Sequence, residues 1–482
     1  MLYPLGQAIR KGLQAKLQFV ALLALSSEDR MKKLKMRRID LKDQAGQLEL
    51  DNLMSALGNQ GNVVSPKGRE LTKAVFGEAL SPLQVVERVC SDVRTNGLDS
   101  VLHYTKQFDK VDLTHANIRV TLAELREAHA NAPPKLLETV RRIKQNIYAF
   151  QVGLVQRDAV QSLGTRGELR LRFRPIKRVG IHVPGGAAAY PSTLLMTVVP
   201  AQAAGVEELV VVMPPTPNGA YCSDMLAVCH ELGVNEVYRV GGAQAIAALA
   251  YGVQGINKVD MIVGPGNMFV ALAKKTVYGQ VAIDCIAGPS EVVVLGDETS
   301  NPRYLAAELI SQAEHSPGSS LLVTWRKEIL DEVEKALNDM LSTLERGDLA
   351  KDCLEQFGAF VLAPDPISAF DCVNKLAPEH LHIATSDPAK HADQIDNAGA
   401  IFLGPYTPVA AGEYAAGPSH VLPTGGTARF ASGLCSNDFL RRSSIVTLTR
   451  EGLESLAPDI CTMADREGLT GHKASVLVRL EK

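Results

Sequence analysis

Ser311-Gln312-Ala313-Glu314-His315 closes an amphipathic run that begins near Pro302. Gln312 and His315 are three positions apart, so on a helix they would share one face. An amide oxygen and an imidazole on one face can hold a metal ion or a polar ligand. Further along lie Pro378-Glu379-His380, then Gly412-Glu413-Tyr414, then Glu467 and His472. Together these pieces supply metal ligands, a base and a carboxylate, which is the mixture an enzyme site needs. Taken singly they say less. His315 alone reads more simply as a satisfied, partly buried histidine. Glu379 and His380 open a predicted strand, where neighbours point to opposite faces, although both side chains can reach one cleft at a strand mouth. Cys285, amid Ala282, Ile283 and Ile286, reads as core rather than as a thiol nucleophile.

The elements that must position these groups alternate. Residues 36–178 are charged and helix-rich, with apolar spacing of three and four over 81–96 and 122–150. From Val179 the texture changes to short apolar runs, 179–183, 208–213, 236–240, 258–263 and 281–286, read as strands. Helices are expected between them at 193–204, 223–232, 243–251 and 267–278. Further strands are expected at 291–295, 320–324, 359–362, 382–385 and 401–403, with helices at 302–315 and 327–344. Strand, helix, strand at this spacing means parallel sheets with helical crossovers. There are too many strands for one doubly wound sheet. The expectation is therefore two large Rossmann-like α/β domains, one from 36–181 plus 291–440 and one from 182–290. Residues after Arg441 read as helical and polar, with a strand-like end at 475–480.

In open α/β sheets ligands bind at the carboxyl ends of strands. Three glycine turns are predicted there: Pro184-Gly185-Gly186, Gly241-Gly242-Ala243-Gln244 and Gly264-Pro265-Gly266-Asn267. Glycine lets a phosphate or ring approach the backbone, and a following helix start offers free N–H groups. None is a GxGxxG fingerprint, so a nucleotide site and plain turn chemistry both remain open. Gln244 and Asn267 each place an amide just past such a turn. Ala287-Gly288-Pro289-Ser290-Glu291 is another loop of this kind. No nucleophile elbow surrounds Ser290, so it reads as a turn residue or a substrate contact.

The 482 residues suggest roughly three domains. Fifty lysines and arginines against 53 acids give a net charge of −3, which makes no case for nucleic acid or an anionic membrane. Eight scattered cysteines without a CxxC fit reduced thiols in a cytoplasmic protein. No apolar run approaches the ~18 residues needed to span a bilayer. Lys11, Lys16 and the apolar stretch 17–25 loosely resemble a signal peptide, but no A-x-A site follows. The favoured expectation for 1–35 is a disordered extension, or a later start at Met31 or Met36.

The motifs VPGG at 183–186, VGGAQAIAALAYG at 240–252, VGPGN at 263–267, AGPSE at 287–291 and SQAEH at 311–315 closely resemble those of histidinol dehydrogenases. So do APEHL at 377–381, HVLPTGG at 420–426 and LTGHK at 469–473. The resemblance runs from about Met36 to the end. It implies oxidation of L-histidinol through L-histidinaldehyde to L-histidine with two NAD in succession, the last step of histidine biosynthesis. It implies a Zn2+-dependent homodimer of two large α/β domains with small terminal segments, in which the C-terminal tail, 441–482, crosses to the other subunit. Carried over residue by residue, the metal ligands are Gln312, His315, Glu413 and His472. The acid–base pair is Glu379 and His380. Substrate contacts are Ser290, Gln312, His315, His380, Glu413, Glu467 and His472. Cofactor contacts are Gln244 and Asn267, with His182 where the family commonly has tyrosine. Glu413 is a second departure, since the family usually has aspartate there. A relative acting on a dihydroxypropane sulfonate is the alternative, and Glu467 argues against it, because a carboxylate suits an ammonium and repels a sulfonate.

Overall fold

The structure is a computed structural model that describes residues 33–59, 66–186, 188–315 and 318–481. The expected extension therefore lies outside the described residues up to position 32. Its last residues belong to the fold: Leu34 is buried among Val292, Leu322 and Phe360, and its N–H donates to Asn338.

Fourteen strands follow in chain order among the described residues. They are β1 (Arg37–Asp40), β2 (Ala159–Ser162), β3 (Gly167–Pro175), β4 (Arg178–His182), β5 (Glu208–Met213), β6 (Glu236–Arg239) and β7 (Met261–Val263). Then come β8 (Ala282–Ile283), β9 (Glu291–Gly296), β10 (Ser319–Thr324), β11 (Gly358–Leu362), β12 (His380–Ala384), β13 (Ala400–Leu403) and β14 (Leu440–Leu448). They form a six-stranded sheet, β1-β11-β10-β9-β12-β13, and a five-stranded sheet, β6-β5-β4-β7-β8. Every pairing in both is parallel. The two expected parallel sheets are thus present. Strands buried on both faces read as continuous apolar runs, and Glu-Leu-Val-Val-Val-Met of β5 is such a run. In β9, Val292 and Val294 pack on one side of the sheet, Val293 and Leu295 on the other. Each such side chain contributes about 1.5–3 kcal/mol by burial.

The helices distribute differently from the expected domain boundaries. The Pro82–Asn96 helix packs on the Gly242–Tyr251 and Met268–Val277 helices, Leu122–Asn131 on Ser223–Glu231, and Pro134–Leu154 on Pro191–Ala204. The N-terminal helices therefore cover the five-stranded sheet rather than joining the 291–440 half. Among the described N-terminal residues, Leu34, Met36, β1 and the Gln44–Asn59 helix side with the six-stranded sheet. The apolar run 122–150 is two helices, because Pro133-Pro134 ends one and starts the next.

The tail also departs from expectation. Residues 440–448 form β14, antiparallel to β3 in a third sheet, β14-β3-β2. Most of β14 is exposed, so the buried-face alternation that marks a strand is missing from its sequence. The stretch 475–480, expected to be strand-like, is not a strand: its first three residues complete the Thr470–Leu477 helix and Val478 caps it. No helix among the described residues is long and apolar enough to cross a membrane.

Candidate active site

Gly264, Gly241 and the Val183-Pro184-Gly185-Gly186 turn follow the carboxyl ends of β7, β6 and β4. Residues 284–290 leave β8 on that edge and enter β9 at the amino edge of the other sheet. The candidate residues gather there, where β9 and β12 begin, and not at the carboxyl ends of the six-stranded sheet. Parallel pairing puts His380 opposite Val292. Glu379 lies just before β12, so the two-faced alternation of a strand does not separate it from His380. Two residues before Glu379, Ala377 is buried with φ +46°, a left-handed conformation that few non-glycine residues adopt.

Gln312 sits in the last turn of the Pro302–Ala313 helix, and His315 lies beyond its end. The expected shared helix face is therefore a helix end followed by a turn. Glu413 is carried by the Val409–Tyr414 helix. Its Oε1 lies 3.8 Å from His315 Nε2 and 3.9 Å from His380 Nε2. His380 Nδ1 donates to the carbonyl of Glu291 at 3.2 Å, which leaves Nε2 as the acceptor nitrogen. Its Nδ1 is also 3.8 Å from Glu379 Oε2. Glu379 accepts the N–H of Glu291 at 2.9 Å and the hydroxyl of Ser290. Gln312 is buried, and its Nε2 finds no partner.

The cluster is dry. Burial pushes the Glu379 carboxyl well above its ordinary range, and the Glu291 and Glu413 carboxylates reinforce the effect. Glu291 itself is pushed up to about 7 by burial. Burial pushes His380 down to about 3, helped by His315 and His420 nearby. The fold holds a neutral imidazole beside protonatable carboxyls, and a carboxylate ionising next to it would raise its basicity.

On the cofactor side, His182 ends β4 with only 3% of its surface exposed. Its Nδ1 donates to the Pro265 carbonyl at 2.8 Å, its Nε2 has no partner, and burial pushes it down to about 4. It braces the 264–267 turn and offers no exposed ring for stacking. Asn267 caps the Met268–Val277 helix, with Oδ1 accepting from Phe269 and Val270. Gln244 donates to Asp109 at 3.4 Å, and its buried Oε1 is unpartnered. A buried Lys274–Asp284 ion pair clamps Gly264: Lys274 Nζ donates to its carbonyl at 3.1 Å and Asp284 accepts its N–H at 2.7 Å. Gly264 has φ +108°, and a Cβ there would meet the His182 carbonyl oxygen at 2.2 Å.

Glu467 and His472 are not brought to this cluster by their own chain. Both are exposed and line a cavity of about 350 Å³ with Asp459, Met463 and Ala464 on the C-terminal helix pair. Three residues with no role in the sequence-based expectation do enter the site. Glu291 and His420 lie within the AGPSE and HVLPTGG motifs. Glu308 lies one helical turn before Gln312, and its carboxylate accepts the N–H of Val409, which starts the helix carrying Glu413. His420 Nδ1 donates to the Glu413 carbonyl at 2.9 Å. In sequence Glu308 is marked only by falling within the apolar spacing of its helix, beside Leu305 and Leu309, which does not reveal its partner.

Among the described residues no three His, Cys, Asp or Glu converge as a metal site. The donors present are nonetheless of the right kind. Two ligands each about 2.0–2.2 Å from one zinc lie no more than about 4.3 Å apart, and His315 and Glu413 meet that limit at 3.8 Å. Gln312 is a third candidate through its amide oxygen, and its buried, unpartnered Nε2 leaves the amide free of competing hydrogen bonds at that end.

A family model described as histidinol dehydrogenase matches residues 78–480. The histidinol dehydrogenase of Rhodopirellula baltica is 54% identical over 429 residues, covering 89% of this chain and 93% of that protein. That of Geobacillus kaustophilus is 44% identical over 416 residues, covering 86% and 98%. The crystal structure of histidinol dehydrogenase from Elizabethkingia anophelis superposes with a TM-score of 0.83 at 32% identity, covering 93% of this chain and 99% of that one.

Proposed function

The chain belongs to the histidinol dehydrogenase family, and from that membership we propose a zinc- and NAD-dependent oxidation of L-histidinol, through L-histidinaldehyde, to L-histidine. This is the last step of histidine biosynthesis, carried out in the cytoplasm. The observation that carries the chemistry is the buried Glu379–His380 pair, whose free imidazole nitrogen faces Glu413 at 3.9 Å.

Oxidising an alcohol by hydride loss also requires loss of the hydroxyl proton. His380 Nε2, with its tautomer set by the Glu291 carbonyl, takes that proton. The aldehyde must then gain an oxygen from water before a second hydride leaves. Glu379, once ionised, activates that water, and its raised affinity for protons makes it a competent base. Burial of both groups keeps bulk water away from the reacting carbon. No thiol is needed, and Cys285 is pushed up to about 12 by burial, a poor nucleophile.

Gln312, His315 and Glu413, with His472 as the fourth ligand, would hold Zn2+, which when bound anchors the substrate imidazole and amine. NAD, held by Gln244, Asn267 and the turn braced by His182, supplies the hydride acceptor. Ser290 contacts the substrate beside Glu379, and the Glu467 carboxylate pairs with the substrate ammonium. The proposed enzyme is a homodimer in which the 441–482 tail of each subunit completes the site of the other, a reading supported by the exposure of Glu467 and His472 on their own chain.

The test is NADH formation by purified protein with L-histidinol, with and without chelator. Turnover that chelator abolishes supports the assignment. NADH formed only from a dihydroxypropane sulfonate, or from no alcohol at all, overturns it.

A further inference from the structure

We infer that Glu291 is the positioning residue for the acid–base pair, holding Glu379 and His380 in place through all three of its own polar groups. The inference rests on the roles proposed above for Glu379 and His380. The Glu291 N–H donates to Glu379 Oε2 at 2.9 Å. Its carbonyl accepts His380 Nδ1–H at 3.2 Å. Its Oε1 accepts two backbone N–H groups, from Glu379 at 3.2 Å and from Gly425 at 3.0 Å. Glu291 and Glu379 thus exchange side-chain-to-backbone hydrogen bonds in both directions.

Strand pairing cannot do this alone. The β9–β12 ladder begins at Val292 and His380, one residue after Glu291 and Glu379. The reciprocal exchange extends the order by that one residue, which is where the water-activating carboxylate stands. The carbonyl contact adds a second constraint, because an imidazole donating through Nδ1 must present Nε2 as its acceptor. The Gly425 contact adds a third. It ties the 424–426 turn to the pair, and Thr424 Oγ1 in turn accepts the N–H of Gly288. The loop carrying Ser290 is therefore pinned on both sides.

The cost of this arrangement also points to function. Backbone N–H groups are the hydrogen-bonding partners that favour the Glu291 anion, against the penalty of burial. Burying a carboxylate without a countercharge is expensive. A fold needing only a strand start here would be better served by valine.

Full-length wild type, Glu291→Gln, Glu291→Asp and Glu291→Ala are compared for kcat and KM with L-histidinol, alongside zinc content and thermal unfolding. Glutamine keeps an accepting oxygen at the same reach, so E291Q is expected to hold kcat within about tenfold of wild type. Aspartate is one methylene short, and alanine has no acceptor. Both are expected to lose about a hundredfold in kcat, with KM and zinc content nearly unchanged. Wild-type kcat in E291A overturns the inference. So does E291D outperforming E291Q, which would make charge rather than an aimed oxygen the requirement. That comparison decides the matter even where alanine prevents folding. A wild type that does not oxidise histidinol instead removes the function on which the inference rests.

Discussion

His315 and His380 approach the same carboxylate oxygen, Glu413 Oε1, at 3.8 and 3.9 Å. One imidazole comes from a turn after a helix and the other from the start of β12. Glu413 is thus the point where the proposed metal donors and the proposed proton acceptor meet, and changes on either side should be separable.

Glu413→Ala removes a proposed ligand and is expected to lower bound zinc and kcat together, by at least about a hundredfold in activity. Metal analysis and turnover on the same preparation check this. Glu413→Asp restores the carboxylate common in the family and should keep both. Full zinc occupancy in the alanine variant would remove Glu413 from the ligand set.

His380→Ala is expected to cost about 10²–10⁴ in kcat, with zinc content near wild type. Loss of metal in that variant would make His380 a ligand rather than a base.

His182 is held neutral by burial at about 4, below its ordinary 6.5. The unfolded chain therefore binds the proton more readily than the folded one. Stability contributed by the neutral ring is complete above about 6.5 and is lost as pH falls toward 4. Relative to His182→Asn, the wild type should lose stability on acidification by about 1.4 kcal/mol per pH unit across that window. Parallel denaturant titrations at pH 7.5 and 5 measure the difference. A gap that stays constant with pH would mean the ring is not buried neutral.

Lys274→Met leaves Asp284 buried without its cation. The expected loss is about 3–5 kcal/mol in unfolding free energy, with a raised KM for NAD because the Gly264 turn loses the hydrogen bond to its carbonyl, one of its two clamps. Unchanged stability would show that the pair is solvated.

Much of this architecture was legible in the chain. The ten parallel strands from β4 to β13 were found within a few residues. Those buried on both faces, such as β4, β7 and β10, leave uninterrupted apolar runs, whereas β8 and β13 are partly exposed. The motifs placed Glu379, His380, Gln312, His315, Glu413 and Ser290 in one expected site; the structure sets Ser290, Glu379, His380, Glu413 and His315 next to one another in that order, with Gln312 one turn before His315. What failed did so for physical reasons. β14 is largely exposed and carries no buried face to read. The N-terminal helices show their amphipathic spacing but not which sheet receives it, since an apolar stripe does not name its partner. The roles of Glu291 and Glu308 come from hydrogen bonds to backbone groups that are 88 and 101 positions distant, and no local pattern encodes those. His182 sits where an aromatic contact was expected, yet it turns inward to a carbonyl.

The Ala377 backbone sits at φ +46° immediately before Pro378 and Glu379, a conformation costing a residue with a methyl group about 1 kcal/mol or more. Glycine would relieve that cost yet leave the unfolded chain, and the approach to the pair, with more freedom to lose. Alanine followed by proline makes a stiff doorstep: the fold accepts a small local penalty so that the two proton-handling side chains enter the cleft from a backbone with few alternative paths.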